Sequence, residues 1–175
     1  KLHQILFKLV KQRITHACLE ASSHGLDQKR LDGALITSAA FTNLSHEHLD
    51  YHKTLDSYFT SKVGLFTRIL KSDGKAVLNI DSDWGKKLGE ILETCGIEKL
   101  TVGTHSSSDL RILGQKFNGD GQELKFSFNN TTYQITSKLI GGFQAYNILL
   151  AAGLAISTGG KPADIFQALP AIKTI

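Results

Sequence analysis

The feature that most constrains this chain is a change in what separates its apolar runs. Up to residue 103, short apolar runs alternate with stretches of helical periodicity. Leu2, Ile5, Leu6, Leu9 and Val10 repeat at helical spacing over residues 2–12. Ile14 to Ala21 reads as a short buried strand, Ser22 to Gly25 as a loop after it, and Ile36 to Leu44 as a second strand. Leu55, Tyr58, Phe59, Val63, Phe66 and Leu70 share one face of a helix expected over Thr54 to Leu70. Ser72-Asp73-Gly74 reads as a turn before a strand at Ala76 to Ile80, followed by a helix from Asp83 to Thr94 and a strand from Lys99 to Gly103. Strands separated by helices predict a parallel sheet with right-handed crossovers. Beyond residue 110 the separators become turns. Arg111 to Phe117, Glu123 to Phe128 and Thr132 to Leu139 are split only by Gly119-Asp120-Gly121 and Asn129-Asn130, which predicts an antiparallel meander. Phe143 to Thr158 returns to helix, closed by Gly159-Gly160, and Pro162 to Ala168 starts another. The expected fold is therefore α/β: a mostly parallel sheet of at least four strands with flanking helices, plus a meander.

A chain of 175 residues fits one domain, and 1–175 is read as one. No apolar run approaches the roughly 20 residues that span a bilayer, so no membrane partner is expected. The net charge of +4 is scattered without a basic block, which suits an anionic ligand better than nucleic acid. Cys18 and Cys95 form no disulfide framework, and Cys18, inside an apolar run, is expected to be buried; a reducing cytoplasm is the expected location.

Two clusters carry possible chemistry. Glu20-Ala21-Ser22-Ser23-His24-Gly25 opens at the end of the first expected strand, where open α/β sheets bind ligands; a merely solvated strand-end carboxylate is the competing reading. Thr42-Asn43-Leu44-Ser45-His46-Glu47-His48-Leu49-Asp50-Tyr51-His52 also follows an apolar run, and its imidazoles and carboxylates are natural ligands for divalent metals. His46, His48 and Asp50 match a zinc-hydrolase spacing, but Tyr51 stands where that signature has a further histidine. Lys62, alone on a helix, would ordinarily be a solvated lysine. Gln144 and Asn147, three apart at the start of a helix, share a face, either as a polar first turn or as amides able to read an adenine edge. No phosphate-loop signature occurs: Gly74-Lys75, Gly85-Lys86 and Gly160-Lys161 are followed by Ala76, Lys87 and Pro162.

Together these segments resemble the central domain of the Mur ligase family. Glu20-Ala-Ser-Ser-His24 is similar to its E-x-S-S-H segment, and Phe41 to His52 to its F-T-N-L-S-x-D-H-L-D-Y-H segment, with Glu47 in place of Asp. Lys62, fourteen residues after His48, matches the spacing of the family's modified lysine. Gly142-Phe-Gln-Ala-Tyr-Asn147 is similar to G-x-F-N-x-x-N, with Gln144 in place of Asn. The extended S-S-H-G-L-x-Q-x-R form points to the branch that adds the third amino acid, rather than to folylpolyglutamate or cyanophycin synthetase relatives or to a non-catalytic binding module.

The resemblance implies a P-loop NTPase-like fold and an ATP-dependent acid–amino-acid ligase of peptidoglycan precursor synthesis. The substrates implied are a UDP-N-acetylmuramoyl dipeptide and an amino acid, diaminopimelate or lysine. It further implies Mg²⁺ held by Glu20, His48 and a carbamate formed from CO₂ on Lys62, with Lys62 and His48 at the catalytic centre. Ser22, Gln28 and Arg30 are implied as contacts to the muramyl dipeptide, and Asn147 and Gln144 as contacts to adenine. It also places the phosphate loop and the first part of the sheet before Lys1, and the domain that binds the incoming amino acid after Ile175. The stretch 1–175 is then expected to be inactive alone.

Overall fold

A computed structural model describes residues 2–45 and 49–173. Its elements are α1 (Leu2–Lys11), α2 (Ser23–Asp27), β1 (Ile36–Phe41), α3 (Leu49–His52), α4 (Leu55–Gly64), a π-helical turn (Leu65–Ile69), β2 (Leu70–Asn79), α5 (Asp83–Thr94), β3 (Lys99–Gly103), β4 (Leu110–Asn118), β5 (Gly121–Phe128), β6 (Thr131–Ser137), α6 (Phe143–Ser157), α7 (Pro162–Ala168) and a short 3₁₀ turn (Leu169–Ala171). The strands form one sheet in the order β1-β2-β3-β4-β5-β6. β1 to β4 pair in parallel, and β4-β5 and β5-β6 pair antiparallel, so the expected fold class holds.

The parallel part is buried on both faces. Along β2, Ala76 and Leu78 face a core built with Phe59, Phe66, Leu88 and Leu92, while Val77 between them faces a core built with Ile148, Leu149 and Phe126. That is the period-2 alternation of a strand covered on both sides. α6 covers one face, crossing β1, β2, β3 and β4; α4, the π turn and α5 cover the other. β3 and β4 run parallel over only Val102↔Leu110 and Gly103↔Arg111, so the short connection 104–109 suffices and no crossover helix is needed. The hairpin between β5 and β6 turns at Asn129 and Asn130, both left-handed at φ 47° and 61°, the geometry of a type I′ turn.

Five expectations are corrected. Ile14 to Ala21 forms no strand: the segment carries no regular structure, Ile14 and Leu19 are 48% and 36% exposed, and Cys18 is exposed rather than buried. A strand exists only through its ladder, and no described strand pairs with this segment. Ser22 to Gly25 is not simply a loop, because Ser22 caps α2 and Ser23 begins it. The helix expected through Leu70 breaks after Gly64 into the π turn, and Leu70 already belongs to β2. The turn expected at Ser72–Gly74 is absorbed into β2. Its register steps from Ile36↔Leu70 to Ser38↔Lys75, so the surplus residues bulge within the strand. Gly74 is packed there with a Cβ position 2.8 Å from Leu70 Cδ1 and 3.0 Å from the Lys71 carbonyl oxygen, which leaves no room for a side chain.

Candidate functional site

The loop after Glu20 is organised by its own residues. Ser22 Oγ accepts the Gly25 N–H at 3.2 Å, capping α2. Gly25 is small where Arg30 passes: a Cβ there would lie 3.0 Å from Ser22 Oγ and 4.0 Å from Arg30 Cδ, so Ser22 and the stem of Arg30 are neighbours. Lys29 takes a left-handed φ of 55°, and the backbone turns so that Arg30 N–H donates to the Gly25 carbonyl at 2.8 Å. Gln28 Nε2 donates to Tyr51 Oη at 3.3 Å, and Tyr51 Oη donates to Asp27 Oδ2 at 2.8 Å. The His24 ring lies 4.0 Å from the Tyr51 ring, and His52 stacks on Tyr58 at 5.2 Å. Ser22 and Arg30 thus meet around Gly25, and Gln28 in the same loop is tied through Tyr51 to the D-Y-H end of the second cluster.

Lys62 reaches the same loop from α4. Its Nζ donates to the Ala21 carbonyl at 3.0 Å, one residue beyond Glu20. Burial lowers the Lys62 ammonium below its ordinary pKa, and the Glu20 charge opposes that shift without cancelling it. Glu20 and Lys62 therefore stand on one side of the sheet. His48, together with His46 and Glu47, lies outside the described residues. Among the described residues no group of three or more His, Cys, Asp or Glu side chains is placed to hold a metal ion.

Gln144 and Asn147 stand on the opposite layer, at the start of α6, where Asn147 Nδ2 donates to Gln144 Oε1 at 3.2 Å. The helix starts at Gly142 with no side-chain cap, and three tertiary contacts fix it instead. Gln122, fully buried, donates to the carbonyls of Leu139 at 2.9 Å and Gly141 at 3.2 Å. Gln115 donates to Gln122 Oε1 at 2.8 Å and to the Gly142 carbonyl at 3.0 Å. Tyr146 Oη donates to Asp81 Oδ2 at 2.8 Å, and the same oxygen accepts the Thr104 N–H at 2.8 Å. Asp81 and Thr104 follow the carboxyl ends of β2 and β3, so this carboxylate fastens the first turns of α6 to the edge where parallel sheets present ligands. Burial first, and then the Asp81 hydrogen bond and charge, push the Tyr146 phenol up to about 12.

Sequence reasoning did not single out Asp81, Tyr51, Tyr146 or Arg68 as organisers. Tyr51 and Tyr146 sat inside the quoted segments and could have been suspected from that alone. Asp81 and Arg68 gave no local signal, because their roles arise from residues distant in sequence.

Residues 1–155 match the Mur ligase middle domain. The chain is 41% identical over 163 residues to a UDP-N-acetylmuramoyl-L-alanyl-D-glutamate--2,6-diaminopimelate ligase of Chelativorans sp. (strain BNC1), covering 93% of this chain and 33% of that protein. It is 38% identical over 172 residues to the protein of the same name in Mesorhizobium japonicum, covering 98% and 35%. A solved structure of a ligase of that name superimposes with a TM-score of 0.90 at 30% identity, over 99% of this chain and 36% of the other. MurF from Acinetobacter baumannii, at 14% identity and a TM-score of 0.70 over 79% and 30%, shares the fold. The chain spans about a third of the length of the curated relatives it matches.

Proposed function

The chain belongs to the Mur ligase middle-domain family, and on that footing we propose that it is the nucleotide- and metal-handling part of the ligase that adds 2,6-diaminopimelate to UDP-N-acetylmuramoyl-L-alanyl-D-glutamate. The observation that carries this reading is the meeting of Lys62 with the Glu20 segment, where Nζ lies 3.0 Å from the Ala21 carbonyl. Burial disfavours the ammonium there.

The residues fit a magnesium site of the family's kind. Glu20 offers carboxylate oxygens, the ligand type magnesium prefers. An ammonium on Lys62 would repel the ion. The neutral amine, which burial favours, can attack CO₂ through nitrogen and lose a proton to become a carbamate, an anionic oxygen donor on the same arm. His48 would complete the set. When bound, magnesium would neutralise charge on the ATP phosphates. The overall reaction is two displacements: the substrate carboxylate takes the γ-phosphoryl group with ADP leaving, and the incoming amine then attacks the acyl carbon, loses a proton and expels phosphate. Ser22, Gln28 and Arg30 would orient the dipeptide, with Arg30 suited to a carboxylate or phosphate by its planar fork. The paired amides of Gln144 and Asn147 hold both donors and acceptors, which is what an adenine edge requires.

The test is Lys62→Ala in the full-length protein. Turnover should fall by a factor of about 100 or more, as for loss of a group acting on developing charge, and short carboxylates such as formate should restore part of it. Wild-type turnover in Lys62→Ala would refute the assignment.

A further inference from the structure

Arg68 lies in the π turn that continues α4, outside every segment the family resemblance uses. Its Nε donates to Asp32 Oδ1 at 3.1 Å and its Nη2 donates to the Leu26 carbonyl at 2.8 Å. One planar group therefore grips both ends of the segment 26–32. Between the two grips lie Gln28, the left-handed Lys29 and Arg30. Leu26 and Leu31 anchor the segment in the core, at 1% and 5% exposure, while residues 27 to 30 stand out in solvent. The guanidinium reaches this position by lying close over Gly64, where a Cβ would come within 3.1 Å of Arg68 Nη1 and 3.6 Å of Cζ. With Lys62 on the Ala21 carbonyl, a single helix and its π extension hold the loop at Ala21, Leu26 and Asp32.

An exposed Arg–Asp pair contributes little to stability by itself. The backbone carbonyl contact and the cleared space at Gly64 point to geometry rather than stability as its effect. We propose that Arg68 is a positioning residue: it fixes the loop that presents Gln28 and Arg30 to the muramyl dipeptide, without touching that substrate. The inference rests on the substrate reading above. A lysine at position 68 would keep the charge but lose the two-point fork, since an ammonium cannot bridge both acceptors in one plane.

The experiment measures KM for UDP-N-acetylmuramoyl-L-alanyl-D-glutamate and for ATP in the full-length protein, for Arg68→Ala, Arg68→Lys, Gly64→Ala, Arg30→Ala and the Arg68→Ala/Arg30→Ala double variant. Arg68→Ala should raise the dipeptide KM about fivefold or more, because loosening of about 1 Å at a positioning contact is that damaging. Arg68→Lys should do nearly the same, and Gly64→Ala should follow by displacing the guanidinium. KM for ATP should stay within about twofold in all three. If Arg68 acts only through the loop, adding Arg68→Ala to Arg30→Ala should raise the dipeptide KM by a smaller factor than Arg68→Ala does in the wild-type background, the non-additivity of coupled sites. An unchanged dipeptide KM, a parallel rise in both KM values, or additive effects of Arg68→Ala and Arg30→Ala would overturn the proposal. If Arg68→Ala folds poorly, Arg68→Lys and Gly64→Ala carry the same comparison. An unchanged dipeptide KM in Arg30→Ala itself would instead remove the substrate reading, and the role of Arg68 with it.

Discussion

Replacing Tyr146 by Phe isolates the bond that fastens α6 to the carboxyl edge of the sheet. The variant keeps the ring and deletes one O–H donor, 2.8 Å from Asp81 Oδ2. Hydrogen bonds to a charged acceptor contribute roughly 1.5–3 kcal/mol. Two features reduce that here: Tyr146 is only partly buried, and Asp81 Oδ2 keeps the Thr104 N–H at 2.8 Å, so no acceptor is orphaned. The expected loss is about 1 kcal/mol, or ~2–4 °C in Tm for a chain of this size. Asp81→Ala should cost more than Tyr146→Phe, because it removes the acceptor of both the Thr104 N–H and the Tyr146 O–H. The pH dependence gives a second signature. The fold favours the neutral phenol, whose pKa rises from 10.0 to about 12, so its contribution is full below pH 10 and is lost as pH rises toward 12. Urea unfolding followed from pH 8 to 11.5 should therefore show an alkaline decline that is shallower in Tyr146→Phe. A variant with wild-type stability at pH 8 and a wild-type alkaline decline would refute the claim that this bond holds the helix.

Three further outcomes follow from single contacts. Gly85→Ala should destabilise by about 3 kcal/mol or more, since its Cβ would collide with the Asn79 carbonyl oxygen and press within 2.8 Å of Ser82 Oγ; chemical denaturation reads this directly. Asn147→Ala in the full-length protein should raise KM for ATP about tenfold while leaving KM for the dipeptide unchanged, the loss expected for a base-reading amide, and steady-state kinetics with each substrate varied in turn checks it. Cys18 and Cys95 are both exposed, so a thiol reagent should modify both in the native 175-residue chain; protection of Cys18 would show that the segment 14–21 is covered.

The sheet was legible because its two halves are written in different separators. Helical periods between apolar runs mark the parallel strands, and Gly119-Asp120-Gly121 and Asn129-Asn130 mark the meander. What failed to read was dictated from outside the local segment. Ile14 to Ala21 has strand composition, but composition supplies no neighbour to pair with. Ser72-Asp73-Gly74 has turn composition, yet pairing with β1 on both sides of it draws the bulge into β2. The π turn after Gly64 could not be foreseen from an apolar face that continues unbroken through Phe66. In the candidate site, residue type and position drew attention to Glu20, Gln144 and Asn147, each with a plainer reading beside it, whereas Lys62 stood out only through its spacing in the family resemblance. Lys62 is held by the Ala21 carbonyl, and the start of α6 by Asp81 and Gln122, which no spacing rule connects to those residues.

The proposed activity of the full-length protein is condensation of diaminopimelate with the muramyl dipeptide at the expense of ATP. The most direct measurement is product analysis by mass spectrometry after the full-length protein is incubated with ATP, magnesium, UDP-N-acetylmuramoyl-L-alanyl-D-glutamate and 2,6-diaminopimelate. One UDP-N-acetylmuramoyl tripeptide should form for each ADP and phosphate released, with neither formed when the dipeptide is omitted. ADP release without a condensed product, or glutamate added to a folate in place of the tripeptide, would contradict it.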